Sequence, residues 1–320
     1  MLGAVLALVS AATFAVTNAA VRRGVLTGSA LQATSFSIPV GVPTFFVALM
    51  LFGGVQTFGD LPPLPLLAFA TTGITHFVIG RYANYRAIGA IGTNLAGPVM
   101  QFNLVVSLGF AVLLLGETLT VLRILGILLI VAGPAAAPRG QPRARPSAAT
   151  MKFTPRMAEG YAFAALAAFC YGLSPVFLRY AGRGRGLAAS LAGGVVSSAS
   201  ASIVVLLLFA APALWRDLRR VNLYAAKWFL FSGVMVYVSQ IFYYMAISLA
   251  PVTIIAPISA LGNVFRIYVA RWMNPDHEVF GRQIVLATLL SLLGVIVLSA
   301  SLEGVPLPAA WAAFLNWHWP

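Results

Sequence analysis

Apolar residues run along this chain in long blocks, each closed by charge or by a cluster of proline, glycine and small polar residues. Met1 to Val21, Leu61 to Gly80, Gly160 to Leu178 and Gln283 to Leu302 are uncharged over close to the ~20 residues a helix needs to cross a bilayer. Longer uncharged stretches, Gly24 to Gly59, Ala87 to Gly116, Gly186 to Trp215 and Trp228 to Phe265, divide at their internal Gly, Pro and small polar breaks. Ten helices result, near residues 2–21, 31–53, 64–86, 92–115, 121–138, 158–180, 188–212, 227–248, 252–273 and 281–302. Hydrocarbon offers a backbone amide no partner, so each span is expected to be helical, and the alternation of a barrel strand is absent. The first span lacks the basic leader and small-residue cleavage site of a secretion signal and counts as a crossing.

Composition strengthens this reading. With 60% hydrophobic and 8% charged residues and a mean hydropathy of +0.93, a water-soluble chain is excluded. The formal charge of +13 lies between the apolar spans, so no nucleic-acid partner is expected. The single cysteine, Cys170, provides no disulfide framework, and no Cys/His spacing resembles a metal site; no cofactor is expected. Ten crossings put both termini on one side. Thirteen basic residues, from Arg22, Arg23 and Arg86 through the five between Arg139 and Arg156 to Arg271, fall on the opposite face, and four, Arg123, Arg179, Arg183 and Arg185, on the face of the termini. By the positive-inside rule the connector is cytoplasmic and the termini extracytoplasmic, in the cell's inner membrane.

The chain also repeats itself. Tyr85, Ala87, Ile88, Gly97 and Pro98 correspond to Tyr244, Ala246, Ile247, Ala256 and Pro257 at an offset of 159. Glu117 and Gly133 match Glu278 and Gly294 at 161, and Gly3 and Arg22 match Gly160 and Arg179 at 157. Five crossings is an odd number, so the second copy starts on the other side of the membrane and the halves are inverted repeats, an architecture of transporters. The division is a five-helix repeat over 1–138, a basic Pro/Ala-rich linker over 139–157, a second repeat over 158–302 and a Trp-rich interfacial tail over 303–320.

In these residues the chain resembles the drug/metabolite transporter superfamily, in its ten-helix form with two EamA domains. The resemblance covers nearly all of residues 1–302 and rests on "LGETLT" at Leu115 to Thr120, "LGILLIVAG" at Leu125 to Gly133, and the mid-helix Pro98 and Pro257. The turn "NPDHEVFGRQ" at Asn274 to Gln283 departs from the usual form but keeps Glu278. The resemblance implies a central cavity walled by spans one to four and six to nine, with five and ten peripheral, and termini in the cytoplasm, opposite to the charge count. It also implies that proton-coupled exporters of cations carry a membrane-embedded glutamate, and no span interior here holds a carboxylate.

Polar side chains at mid-span are the candidates for the site, because burying them in hydrocarbon is expensive. Asn94, Pro98 and Gln101 share one face of the fourth span, with Asn103 on another; Ser259, Asn263 and Arg266 share a face of the ninth. Tyr237, Gln240 and Tyr244 are in register on the eighth, the third carries His76, Arg81, Asn84 and Tyr85, and the first and sixth add Thr17, Asn18, Tyr171 and Ser174. Each has a plainer role open to it. The amides and hydroxyls can bond neighbouring helices, the tyrosines can be packing or belt residues, and His76 is a proton relay or a histidine satisfied by one neighbour. Pro98 and Pro257 either kink their helices or shape and gate the cavity. Arg81 and Arg266 either snorkel to the basic face or face the cavity without an internal counter-ion, where a substrate carboxylate or phosphate would provide one.

The expected function is that of an alternating-access secondary transporter for a small zwitterionic or anionic, amino-acid-like metabolite, working by facilitated diffusion or exchange, with efflux favoured. Its partners are that solute and membrane lipids, as monomer or homodimer. Translocation of a phospholipid or lipid phosphate is the alternative, the arginines meeting the headgroup. An enzyme is not expected, since there is no paired aspartate, HExxH or Ser/His constellation.

Overall fold

The computed structural model describes residues 2–115, 119–136, 154–182, 185–249, 255, 258–299 and 318–319. Most of these are helical: α1 (Leu2–Gly24), α2 (Ala30–Ser37), α3 (Gly41–Phe52), α4 (Pro63–Thr72), a π-widened stretch at Gly73–Gly80, α5 (Arg81–Met100), α6 (Phe102–Leu115), α7 (Val121–Ala136), α8 (Met157–Gly182), α9 (Gly186–Leu208), α10 (Pro212–Arg219), α11 (Leu223–Leu249), α12 (Gly262–Met273) and α13 (Arg282–Ser299). A two-residue ladder pairs Leu119–Thr120 with His318–Trp319, the one part of the expected interfacial tail among the described residues. Six runs, Leu2–Gly24, Ala30–Phe52, Pro63–Met100, Met157–Leu178, Gly186–Leu208 and Leu223–Ala246, are long and apolar enough to cross a membrane, and Arg282–Val297 is a shorter apolar helix. Leu51, Leu113, Leu207 and Trp272 face outward while Asn18, Thr93, Ser198 and Arg266 are buried, which suits an apolar solvent outside.

Where the helices depart from straight spans, the local sequence explains it. The second span breaks before Gly41, since Pro39 has no N–H to give, and α2 begins at a capping box of Ser29 and Gln32. The third and fourth spans form one helical body that is interrupted at Gly92, whose φ of 81° and ψ of 170° suit glycine alone. Pro98 then lacks a donor, Gln101 N–H turns to Pro98 O at 3.3 Å, and α6 restarts at Phe102. The seventh span ends at Leu208 rather than 212, and Pro212 opens the short α10. The first part of the ninth span, with Pro257, lies outside the described residues.

The two halves interlock. α1 packs on α11, and α8 packs on the Gly73–Gly80 stretch and on α5, so the first helix of each half lies against the third crossing of the other. α3 meets α9 and α7 meets α13, again across the halves. Without a hydrophobic force between helices in lipid, close approach relies on small residues: Gly41 lies under Tyr237, Gly194 under Phe45, and Gly294 against the backbone at Ile130.

Candidate functional site

The interruption at Gly92 creates two helix ends inside the protein, and each receives the charge its dipole favours. Arg22, near the end of α1, donates from Nη1 to the carbonyls of Ile88 (2.9 Å) and Gly89 (3.1 Å), and from Nε and Nη2 to His277 O (3.0 and 2.6 Å). Glu278, in the loop after α12, accepts from Thr93 N–H (2.7 Å), Thr93 Oγ1 (2.8 Å) and Asn94 N–H (3.2 Å). Its carboxylate lies 3.9 Å from Arg22 Nε, and both side chains are buried. Glu278 belongs to a loop, as its sequence position indicates, yet that loop carries its carboxylate into the buried interior. Gly92 is indispensable there, because a Cβ would run into the Glu278 carboxylate.

Beyond this double cap a cavity of about 250 Å³ opens between the halves. Phe14, Met100, Leu104 and Leu178 form apolar walls, and one formally charged side chain, Arg266, reaches it. Arg266 Nη1 makes a long 3.4 Å bond to Thr93 O, while its Nε has no hydrogen-bond partner. Asn84 Oδ1, Gln101 Nε2, Asn103 Oδ1 and Ser259 Oγ belong to residues lining the same space, equally buried and equally without partners among the described residues. Buried polar groups are nearly always satisfied, so five open ones on one cavity point to a wet or ligand-binding space. The carboxylate whose field reaches Arg266 is Glu278, already engaged by Arg22, so two guanidinium groups share one anion. Among the described residues, no Asp or Glu lines the cavity.

Of the residues singled out in the sequence, His76, Asn84, Gln101, Tyr171, Ser174, Gln240, Tyr244, Ser259, Asn263 and Arg266 meet at this cavity. Asn103 lines it too, whereas Thr17, Asn18, Arg81, Tyr85, Asn94, Pro98 and Tyr237 do not, and Pro257 lies outside the described residues. Arg81 is buried rather than snorkelling, and the cation sits over the rings of Phe77 (4.8 Å) and Tyr237 (4.7 Å) and donates to Tyr237 OH at 3.1 Å. Tyr237 in turn donates to Ile38 O (3.0 Å), so this pair ties the third crossing to α11 and α2. Tyr85 bonds Ser37, Thr17 bonds the carbonyl of Thr13, Asn18 receives Asn84 from behind the wall, and Asn94 holds Val279 O. Pro98 sits at the kink between α5 and α6. Asn103, on α6 just past that kink, lines the cavity.

Ser10, Ser239 and Tyr243 line the cavity as well and were missed. Ser10 and Ser239 exchange hydrogen bonds with each other's carbonyls at 2.8 Å, joining α1 to α11. The signal for Ser10 was present, as it lies seven residues before Thr17 on one helical face. For Glu278 the signal was its repetition as Glu117 in the first half.

The sequence profile of the EamA-like transporter family matches residues 1–136 and 158–300, once over each half. The chain belongs to the EamA-like transporter family. A solved structure titled only "Crystal structure of protein" superposes with a TM-score of 0.57 over 92% of this chain and 95% of that one, at 16% identity, and shares the fold. No curated relative matches. As an EamA-like protein the chain is a multi-pass membrane transporter of small molecules, and its cavity lies where the two EamA units meet.

Proposed function

We propose that this EamA-like protein is a ten-crossing secondary transporter, two inverted five-helix repeats that alternately expose the cavity and carry a small zwitterionic or anionic, amino-acid-like solute. The observation behind this reading is the edge of Arg266 that no described residue partners, in a cavity that no described carboxylate lines. A solute carboxylate there would supply the missing anion through charge-assisted bonds. At ~30 Å³ per water, 250 Å³ holds roughly eight waters, a space suited to an amino-acid-sized solute. Arg81, enclosed by aromatic rings, has no part in recognition and holds the wall in place.

The Arg22–Glu278 cluster seals the end of the cavity toward the basic face, the cytoplasmic one by charge count. Rocking of one half against the other would have to open it, since Arg22 and Thr93 belong to the first half and Glu278 to the second. With Glu278 committed to the cap, no cavity carboxylate is free to carry a proton, which favours facilitated diffusion or exchange, with efflux as the favoured direction. For lipid translocation, a lateral groove of about 540 Å³ between α3 and α11 is the relevant feature, yet it is lined by Pro43, Val47, Leu51, Phe242 and similar residues, with Thr44 its one polar side chain. That lining suits an acyl chain and gives a headgroup no path.

The test is a thermal-shift panel of amino acids, organic acids and sugar phosphates on detergent-purified protein, followed by counterflow of the best binder in proteoliposomes. Arg266→Ala is expected to abolish binding and counterflow while folding is kept. Unchanged counterflow by Arg266→Ala, or stabilisation by none of the panel, would remove the proposed solute class.

A further inference from the structure

We infer that His76 is locked in the tautomer carrying its proton on Nδ1, and that its bare Nε2 is the cavity's acceptor for an N–H or O–H group of the solute. The tautomer part stands alone; the solute part rests on the carrier reading above.

The lock follows from proton counting. His76 Nδ1 lies 3.1 Å from Ser174 Oγ, and Ser174 Oγ lies 2.7 Å from the carbonyl of Cys170, one turn back on α8. A carbonyl can only accept, so the single hydroxyl proton of Ser174 is committed to Cys170 O. Toward the imidazole, Ser174 therefore offers a lone pair, and Nδ1 must be the donor. A neutral imidazole has one N–H, which leaves Nε2 unprotonated. An imidazolium would need an anion, whereas among the described residues the cavity holds Arg266 and no carboxylate. The ring is further fixed by Tyr171, with centroids 4.4 Å apart, and by the edge of Phe77 at 5.0 Å. Nε2 makes no hydrogen bond to any described residue, and His76 is partly exposed on the cavity.

The cavity thus has donors in Arg266 Nε and Gln101 Nε2, open amide oxygens on Asn84 and Asn103, and in His76 Nε2 an acceptor that the tautomer keeps free of a proton. That combination fits a solute with an anionic group and a separate N–H or O–H donor, such as a free amino acid. A trimethylated betaine has the same charges and no N–H, and would give His76 Nε2 no hydrogen bond.

The first experiment needs no solute. The chain has three histidines, so ¹⁵N-histidine labelling of the full protein, with the His76→Gln spectrum for assignment, reads the tautomer directly. A protonated Nδ1 and bare Nε2 are expected, shifting toward Nε2–H in Ser174→Ala; an Nε2–H tautomer or an imidazolium at neutral pH in the unaltered protein overturns the lock. The second compares alanine and leucine with their N-trimethyl betaines as stabilisers of the folded protein. The free amino acids should bind at least tenfold more tightly, a preference lost in His76→Phe and partly restored in His76→Gln, whose amide oxygen can accept. Equal binding of both forms overturns the acceptor role. Stabilisation by neither overturns the amino-acid-like solute, and the donor assigned to it, while the tautomer result remains.

Discussion

Glu278 can be tested quantitatively because its partners are few and named. At 3.9 Å from Arg22 Nε, and with an effective dielectric constant of about 20, the gross attraction between the two is ~4 kcal/mol. The carboxylate also caps the helix that restarts at Thr93, a contribution of about 0.5–2 kcal/mol. Desolvation of both charges offsets part of this, and in Glu278→Ala the guanidinium keeps its bonds to Ile88, Gly89 and His277 carbonyls. Breaking a buried pair from one side costs ~3–5 kcal/mol, and the retained bonds place Glu278→Ala at the lower end, near ~3 kcal/mol. Glu278→Gln keeps one acceptor oxygen for Thr93 but turns an NH₂ toward Asn94 N–H, for a loss of about 1–2 kcal/mol. Equilibrium unfolding in mixed detergent micelles measures both, with Asp276→Ala, an exposed position in the same loop, as control. A double-mutant cycle with Arg22→Ala should return a coupling of at least ~1 kcal/mol. Glu278→Ala indistinguishable from Asp276→Ala, within ~0.5 kcal/mol, would refute the double cap.

Arg81→Ala should lose ~2–4 kcal/mol of stability, from two cation–π contacts and a charged hydrogen bond, yet leave counterflow per folded molecule intact, the opposite of Arg266→Ala; loss of counterflow in a stably folded Arg81 variant would count against its structural role. Gly97→Ala would place a Cβ 3.2 Å from both Arg266 Nη1 and Asn263 Oδ1, so solute affinity measured by thermal shift should fall several-fold, with stability changed by about 1 kcal/mol. The Ser10 and Ser239 hydroxyls are 3.1 Å apart on opposite halves. Ser10→Cys combined with Ser239→Cys should form an oxidisable cross-link that stops counterflow and is reversed by reductant; a cross-linked protein that still transports would show that α1 and α11 do not separate during the cycle.

Much of this protein is set by its sequence. Apolar block length fixes that the chain enters a membrane, since only helices satisfy backbone amides in hydrocarbon, and matched residue pairs at a near-constant offset mark two copies of one unit. Depth along a helix is legible too, which is why His76, Gln101, Asn263 and Arg266 were found among the candidates. What periodicity leaves open is azimuth. Arg81 and Arg266 both lie at mid-span, yet one is enclosed by Phe77 and Tyr237 and the other reaches the cavity, because the rotation of a helix is decided by the neighbours it packs against. Asn103 enters the site from α6, which restarts at Phe102 beyond the break at Pro98, so the cavity wall it belongs to is set by where that second helix packs. Glu278 is placed in a loop by the sequence, and only the folded chain brings it to an amide end 185 residues away in sequence, a long-range contact that no local pattern encodes. Composition and spacing therefore determined the membrane, the repeat and the depth of each polar group, while side-chain packing between the two halves decided which of those groups face the cavity and where the buried anion lies.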